Sequence, residues 1–316
     1  MQLDYNVLWI DDNNLWRQSA VRKIKKCITD CGFFPIISEY SNGSTIFQGK
    51  FDLSSYDLIF MDYDIKDPKN TNIDTGLELI KQIRNNKIYS NIIFYSSITN
   101  DLPEKVKEQG IQNTYIFERE DFRDENIDSI KEVIEFILNR ANSVNIMRGI
   151  VMAELANFDN IILDIIENVT LEKKWDKIFN LITKNRQRFC KELIKSHSDL
   201  RDKKEELLSI CENIRTKFDI EEIKNLILDE NQSSAIFTSS SRADFLKTIL
   251  NEKQIKLKDD NDFVANYSSD IIQKRNKLGH CVNIAECADE DFLQIRKNII
   301  KHRKNLTEIK DLLLVS

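Results

Sequence analysis

The sequence predicts two architectures joined in series: an α/β doubly wound domain on a parallel five-stranded sheet, then an all-α helical bundle. Three observations predict it. At 316 residues the chain is long enough for about two domains, each with a core of its own. Backbone punctuation is lopsided: all three prolines (Pro35, Pro68 and Pro103) and five of the seven glycines precede residue 111, and beyond Gly149 only Gly279 remains. Short apolar runs alternate with helical patterns only in the first part, as expected of parallel strands covered by helices.

Taken in order, residues 5–10, 33–38, 58–61, 92–95 and 115–117 read as strands, and Gly76 opens a helix that runs through Arg84. Residues 126–142 are helix-forming and are expected as a continuous helical connector between a first domain, 1–125, and a second, 143–316. In the second, stretches rich in Leu, Ile, Glu, Lys and Asn read as successive helices, among them 147–166, 270–274 and a final long helix over 290–314. With 41% hydrophobic and 31% charged residues, the chain can pack a core beneath a solvated surface, which excludes wholesale disorder. No stretch approaches 18 consecutive apolar residues and the N-terminus lacks signal-peptide character, so a cytoplasmic protein with no membrane partner is expected. Six scattered cysteines (Cys27, Cys31, Cys190, Cys211, Cys281 and Cys287) then predict reduced thiols and no disulfides.

Residues 1–125 carry 15 Lys and Arg against 20 Asp and Glu, a net −5 of the chain's −6. That acidity gathers where ligands bind in an open α/β sheet, beyond the carboxyl ends of the strands. The first strand runs into Asp11 and Asp12; the third ends at Asp62, with Asp64 two residues on. Carboxylates on adjacent strand ends repel one another, and a divalent cation relieves the repulsion. Mg²⁺ suits a few carboxylates, a backbone carbonyl and waters. The fourth strand ends in Ser96 and Ser97, whose hydroxyls can hydrogen-bond a phosphoryl oxygen.

This order of motifs over roughly residues 3–125 resembles the receiver domain of bacterial response regulators, a flavodoxin-like fold. The resemblance implies that Asp62 accepts a phosphoryl group from a histidine kinase or a small phosphodonor. It further implies that Asp11 or Asp12, Asp62 and the Asp64 carbonyl hold Mg²⁺, that Ser96 follows the phosphoryl group, and that Tyr115 is the aromatic switch residue. A metal-neighboured carboxylate is a competent nucleophile toward a phosphorylated donor. The chain departs from the pattern where receivers place a lysine at the end of strand five: Glu118 stands there, followed by Arg119. Arg119 substitutes if the register slips by one, although a planar guanidinium is not an ammonium. The 65–75 loop, with Asp67, Pro68 and Asp74, is also longer than usual.

In the second half, Arg275-Asn276-Lys277-Leu278-Gly279-His280 brings together a cation, an amide and an imidazole. On a helix Asn276 and His280 share a face, and Arg275 is expected to reach round from the adjacent position. Imidazole can move a proton at a ribose oxygen while guanidinium bridges phosphate oxygens. The run resembles the R-x4-6-H motif of the HEPN superfamily, helical bundles that are often metal-independent endoribonucleases. The resemblance implies a homodimer with a composite cleft, an RNA substrate, no cofactor at the nuclease site and catalysis by Arg275, Asn276 and His280. Arg296 and His302 have the same spacing.

Residues 184–204 and 296–304 are candidate anion-facing basic patches. Glu154 and Asp159 are expected on a solvated helix face, His197 and His302 at the surface, and Trp175, Phe189 and Phe218 in the core. The leading expectation is a receiver-regulated endoribonuclease effector in a stress or anti-phage response. The alternatives are a non-catalytic, phosphorylation-dependent signalling adaptor and an RNA-binding regulator.

Overall fold

The computed structural model describes residues 3–42, 52–65, 75–97, 101–196, 220–228, 237–258, 260, 262–280 and 291–314. The chain divides into two compact units, Met1–Ile150 with Glu290–Ile300, and Val151–Asp289 with Lys301–Ser316.

In the first unit the strands are β1 (Asp4–Ile10), β2 (Phe34–Tyr40), β3 (Leu58–Asp62), β4 (Asn91–Ser96) and β5 (Thr114–Glu118), each overlapping a run read from the sequence. They form one parallel sheet in the order β2-β1-β3-β4-β5, the doubly wound order with its switch point between β1 and β3. Central strands buried on both faces read as continuous apolar runs, and all of β3 is buried. One face packs under α2 (Gly76–Asn85) and α3 (Leu102–Glu108) through residues such as Ile59, Met61, Ile80, Ile83 and Phe94. Elsewhere Trp9 stacks on Phe60 at 4.2 Å, joined by Trp16 of α1 (Asn14–Asp30), Tyr95 and Phe122 in an aromatic cluster.

Two glycines are dictated by geometry. A Cβ at Gly76 would collide with the Asp62 carbonyl oxygen, so only glycine lets α2 start against the end of β3. Gly32, at φ +77°, closes α1 in the left-handed conformation that glycine adopts without strain.

The expected connector is not a continuous helix. Residues 128–138 form α4 (Asp128–Leu138), which packs against α1 through a face that buries Ile130, Ile134 and Ile137. A 3-10 turn, Asn139–Asn142, follows, and Ser143 is extended (ψ 140°) with its hydroxyl accepting from the Ile146 amide. This serine ends the turn and caps α5 (Val144–Asn168). The compact units also divide at residue 150 rather than 143, and residues 290–300 belong with the first unit. Arg296 explains that attachment: buried, it donates to the Cys31 carbonyl (3.2 Å) and Asn142 Oδ1 (3.0 Å), and it covers the Phe33 ring.

The described elements of the second unit are helices, apart from an isolated antiparallel bridge between Leu257 and Asp260. Beyond α5 come α6 (Lys174–Ser196), α7 (Ile220–Leu228), α8 (Ser239–Glu252), α9 (Phe263–Tyr267), a π-helical turn (Ser268–Gln273), α10 (Lys274–His280) and α11 (Phe292–Leu314). Among the described residues no helix is long and apolar enough to cross a membrane. Cys27 and Cys31 are free thiols. Cys211, Cys281, Cys287, His197, Phe218 and the loop acids Asp67 and Asp74 lie outside the described residues.

Several expectations for the helical half are overturned. Phe189 is 61% exposed, and Trp175 is only half-buried beneath the Lys174 ammonium. His302, expected at the surface, is fully buried, with Nε2 3.0 Å from Asp270 Oδ2. Glu154 and Asp159 are not on a solvated face: Glu154 is buried against Arg303 (2.7 Å) and Asp159 pairs with Arg242 (3.0 Å). Nor is 296–304 an open basic patch, because Lys301 and Arg303 are neutralised by Asp260 and Glu154. In the described part of 184–204, Lys184, Arg186 and Arg188 are exposed.

Candidate functional site

The parallel register brings the acidic ends of β1 and β3 together, as the sequence predicts. Asp11 and Asp62 are fully buried and Asp12 is exposed, and one carboxylate oxygen from each lies within 4.8 Å of the others. Asp11 is held on both oxygens. The Asn13 amide donates to Oδ1 (2.7 Å) and the Tyr95 hydroxyl to Oδ2 (2.7 Å), while Trp9 Nε1 donates to the Tyr95 oxygen (2.7 Å). Asp62 accepts from Arg119 Nη2 on Oδ2 (2.6 Å), and its buried Oδ1 has no hydrogen-bond partner. The same Arg119 nitrogen is 3.5 Å from Asp11 Oδ2, and the guanidinium lies 4.9 Å over the Trp16 ring.

Arg119 reaches the pocket without a register slip. Glu118 pairs with Ser96 at the end of the ladder, and the chain then enters a 3-10 turn, Arg119–Phe122. Glu118 caps that turn reciprocally with Asp121: its side chain accepts from the Asp121 amide, and the Asp121 carboxylate accepts from the Glu118 amide (2.8 Å). The residue in the usual lysine position is therefore an exposed cap, and the cation comes from the next residue. The Glu-x-x-Asp spacing was the readable signal for this turn.

Burial, and then Asp11, push the Asp62 carboxyl up to about 7 despite Arg119. Burial also raises Asp11, against the Tyr95 and Asn13 hydrogen bonds and Arg119. One guanidinium thus leaves this pair under-compensated. Formally, three carboxylates against one guanidinium leave two negative charges, the charge of one divalent cation, and the all-oxygen donor set with an unpartnered Asp62 Oδ1 suits Mg²⁺.

Buried Ser96 donates to exposed Asp64 (3.2 Å), and a cleft of about 390 Å³ lies over Asp64, Ser96 and Ser97, bordered by Asp101 and Lys105. Tyr115 is half-buried on β5, opposite Ile93 and three positions before Glu118. Sequence reading missed Tyr95, taken only as an apolar strand residue, and Trp16, the platform under Arg119.

No protein-family model and no curated protein matches the sequence. Among solved structures there are matches. The chain is similar to a BeF3-activated DrrB receiver domain (12% identity, 43% of this chain and 97% of that one, TM-score 0.32). It is also similar to the signal receiver domain of a putative Luxo repressor protein from Vibrio parahaemolyticus (20%, 44% and 93%, TM-score 0.32). A third is a LuxR-family DNA-binding response regulator from Staphylococcus aureus (19%, 43% and 99%, TM-score 0.32).

In the helical unit, α10 places Asn276 and His280 on one exposed face, one turn apart. Arg275 is half-buried with a buried, partnerless Nε, and its charge acts on Asp159. Five residues along an α-helix turn about 140°, so Arg275 and His280 leave α10 in different directions. Arg296 is engaged within the first unit and His302 is bonded to Asp270 within the second.

Proposed function

We propose that the N-terminal unit is a receiver-type phosphoacceptor that transmits a phosphorylation signal, with Asp62 as the acceptor. One observation carries this reading: a buried carboxylate whose Oδ2 is fixed by a guanidinium while Oδ1 is unpartnered, at the carboxyl end of the third strand of a 2-1-3-4-5 sheet. Asp62 Oδ1 attacks the donor phosphorus, a new P–O bond forms as the bond to the leaving group breaks, and the leaving group departs with the electron pair. Asp11, Asp12 and Asp62 would hold Mg²⁺, which offsets charge on the transferring group. Arg119 supplies the positive charge that receivers draw from lysine, and Ser96 stands beside the pocket to hydrogen-bond a phosphoryl oxygen. The donor is a histidine kinase or a small acyl phosphate.

We further propose, from the R-x4-H motif, that the helical unit is the output, a metal-independent endoribonuclease that acts as a homodimer. A ribose 2′-hydroxyl attacks the adjacent phosphate and the 5′-oxygen leaves with a proton, giving a cyclic phosphate end. His280 would move the proton, with Arg275 and Asn276 on the phosphate. The inward course of Arg275 favours a second reading, a non-catalytic adaptor or RNA-binding regulator. One experiment addresses both units. Protein is incubated with acetyl phosphate and Mg²⁺ and its mass measured, and an end-labelled RNA pool is then exposed to wild type and His280→Ala in EDTA. A phosphoryl mass increment absent in Asp62→Asn supports the acceptor, and cyclic-phosphate products absent in His280→Ala support the nuclease. Intact RNA with every preparation turns the output reading to the adaptor.

A further inference from the structure

Tyr95 of β4 is fully buried, and its hydroxyl stands in a chain of hydrogen bonds that ends on the acidic pocket. Trp9 Nε1 donates to the Tyr95 oxygen (2.7 Å), and the Tyr95 hydroxyl donates to Asp11 Oδ2 (2.7 Å). Since that oxygen already accepts from the indole, its single proton is directed at the carboxylate. The contact is long-range. Tyr95 pairs with Asp62 in the β3–β4 ladder, and β3 separates β4 from β1, so the hydroxyl reaches Asp11 across the middle strand. The ring itself packs among Trp9, Trp16 and Phe122. Phenylalanine would fill that aromatic space with no polar group to bury, so the hydroxyl is there for what it bonds.

Two consequences follow for the carboxylates. Asp11 Oδ1 takes the Asn13 amide (2.7 Å) and Oδ2 takes Tyr95, so whichever oxygen faces a cation, the other stays bonded to the protein. Asp11 is thereby prepared as a one-oxygen ligand. Tyr95 also decides how Arg119 divides itself, because Nη2 is 2.6 Å from Asp62 Oδ2 but 3.5 Å from Asp11 Oδ2, the atom that the hydroxyl already serves. Without the hydroxyl, Asp11 Oδ2 is open both to the guanidinium and to a cation held by two oxygens at once. Mg²⁺ demands compact octahedral geometry, whereas Ca²⁺ takes six to eight oxygens and accepts bidentate carboxylates.

We propose that Tyr95 is a positioning residue for the cation site of Asp11, Asp12 and Asp62: it fixes Asp11 as a one-oxygen ligand, keeps Arg119 on Asp62, and so favours Mg²⁺ over Ca²⁺. The proposal rests on the receiver reading of the first unit and adds to it what sets the affinity and the choice of cation. Partners that hydrogen-bond a metal's ligands act in this way, by fixing the orientation of the ligand rather than by touching the metal.

The test is thermal unfolding of full-length wild type and Tyr95→Phe, followed by tryptophan emission while Mg²⁺ or Ca²⁺ is titrated in, with acetyl phosphate labelling alongside. A cation that binds the folded state raises the melting temperature from a concentration set by its Kd. Losing the hydroxyl should raise the Kd for Mg²⁺ about tenfold and that for Ca²⁺ by less, which narrows the preference between them. A hydroxyl with a purely structural role would lower the cation-free melting temperature and leave both Kd values in place, and that result overturns the proposal. An equal loss for the two cations, or a wild type whose melting ignores Mg²⁺, overturns it as well. If Tyr95→Phe does not fold, Trp9→Phe, which takes away the donor to the Tyr95 oxygen, is measured instead, and an unmoved Kd for Mg²⁺ overturns it. Mg²⁺ binding that depends on Tyr95 in a protein that takes no phosphoryl group sustains this role while refuting the acceptor. Labelling of Asp62 with cation binding indifferent to Tyr95→Phe does the reverse.

Discussion

Replacing Arg119 with alanine removes the one cation within ion-pair distance of Asp11 and Asp62 among the described residues. Two fully buried carboxylates are then left facing each other, and breaking a buried pair from one side costs about 3–5 kcal/mol. Arg119 is 19% exposed, so water follows the truncated side chain and the lower end applies, while loss of the contact over Trp16 adds about 0.5–1 kcal/mol. Protonation limits the cost. The Asp62 carboxyl already sits at about 7 and rises further without Arg119. Because its folded value lies above its unfolded one, stability associated with this group is fully present below the unfolded value and is lost as pH rises through the folded value. Arg119→Ala is therefore expected to lose about 3 kcal/mol at pH 8, markedly less at pH 5.5, and to regain part of the loss in millimolar Mg²⁺. Urea unfolding followed by tryptophan emission measures it, since Trp16 lies under the guanidinium. A variant with the wild-type midpoint at pH 8, or one whose loss is equal at both pH values and indifferent to Mg²⁺, would refute the reasoning.

Gly76→Ala should destabilise the first unit by about 1–3 kcal/mol and weaken the proposed phosphorylation of Asp62, because the added Cβ must push α2 off the Asp62 carbonyl; urea midpoints and acetyl phosphate labelling read the two effects. Glu118→Ala removes one half of the reciprocal cap and should cost about 1 kcal/mol, whereas a lysine-like role for position 118 would be rescued by Glu118→Lys, which is expected to label no better than Glu118→Ala. Burial lowers the His302 pKa, against its bond to Asp270. A lowered folded value gives stability that is present above the unfolded value near 6.5 and lost as pH falls below it, so wild type should lose helical-unit stability as pH falls below about 6.5. A His302→Gln variant should show a flatter pH profile in circular-dichroism melts, and parallel profiles would count against the assignment.

The sheet was legible because its strands are apolar runs bounded by turn residues, and Asp11 and Asp62 were legible because a parallel sheet places its ligand groups just beyond such runs. Tyr95 was not, since a tyrosine inside an apolar run shows nothing of where its hydroxyl ends. In the helical half, counting charge hid the periodicity. Ile295, Ile299, His302, Leu306 and Ile309 recur at helical spacing and are all buried, which puts His302 on the core face and leaves Lys297 and Lys304 outside. Asp159 and Glu154 sit on a helix whose polar residues are in fact paired with arginines from distant sequence. Such pairing of long-range partners has no local signature.

The exchange at the end of β5 shows why a motif is better judged by where charge lies than by which column carries it. A glutamate in the lysine position reads as a lost phosphoryl contact if β5 is assumed to continue. It reads differently once the strand stops there: Glu118 and Asp121 each cap the other's amide, and the tight turn between them brings Arg119 onto Asp62. The change also alters what the cation is attached to. Arg119 begins the turn that ends in Phe122, and Phe122 packs at 5.0 Å from Tyr95 and 5.1 Å from Trp16, the residues that hold Asp11 and underlie the guanidinium. A shift of Arg119 toward a phosphoryl group on Asp62 would thus pull directly on the aromatic cluster behind the sheet. Interiors packed this closely change by discrete rearrangement rather than by gradual yielding.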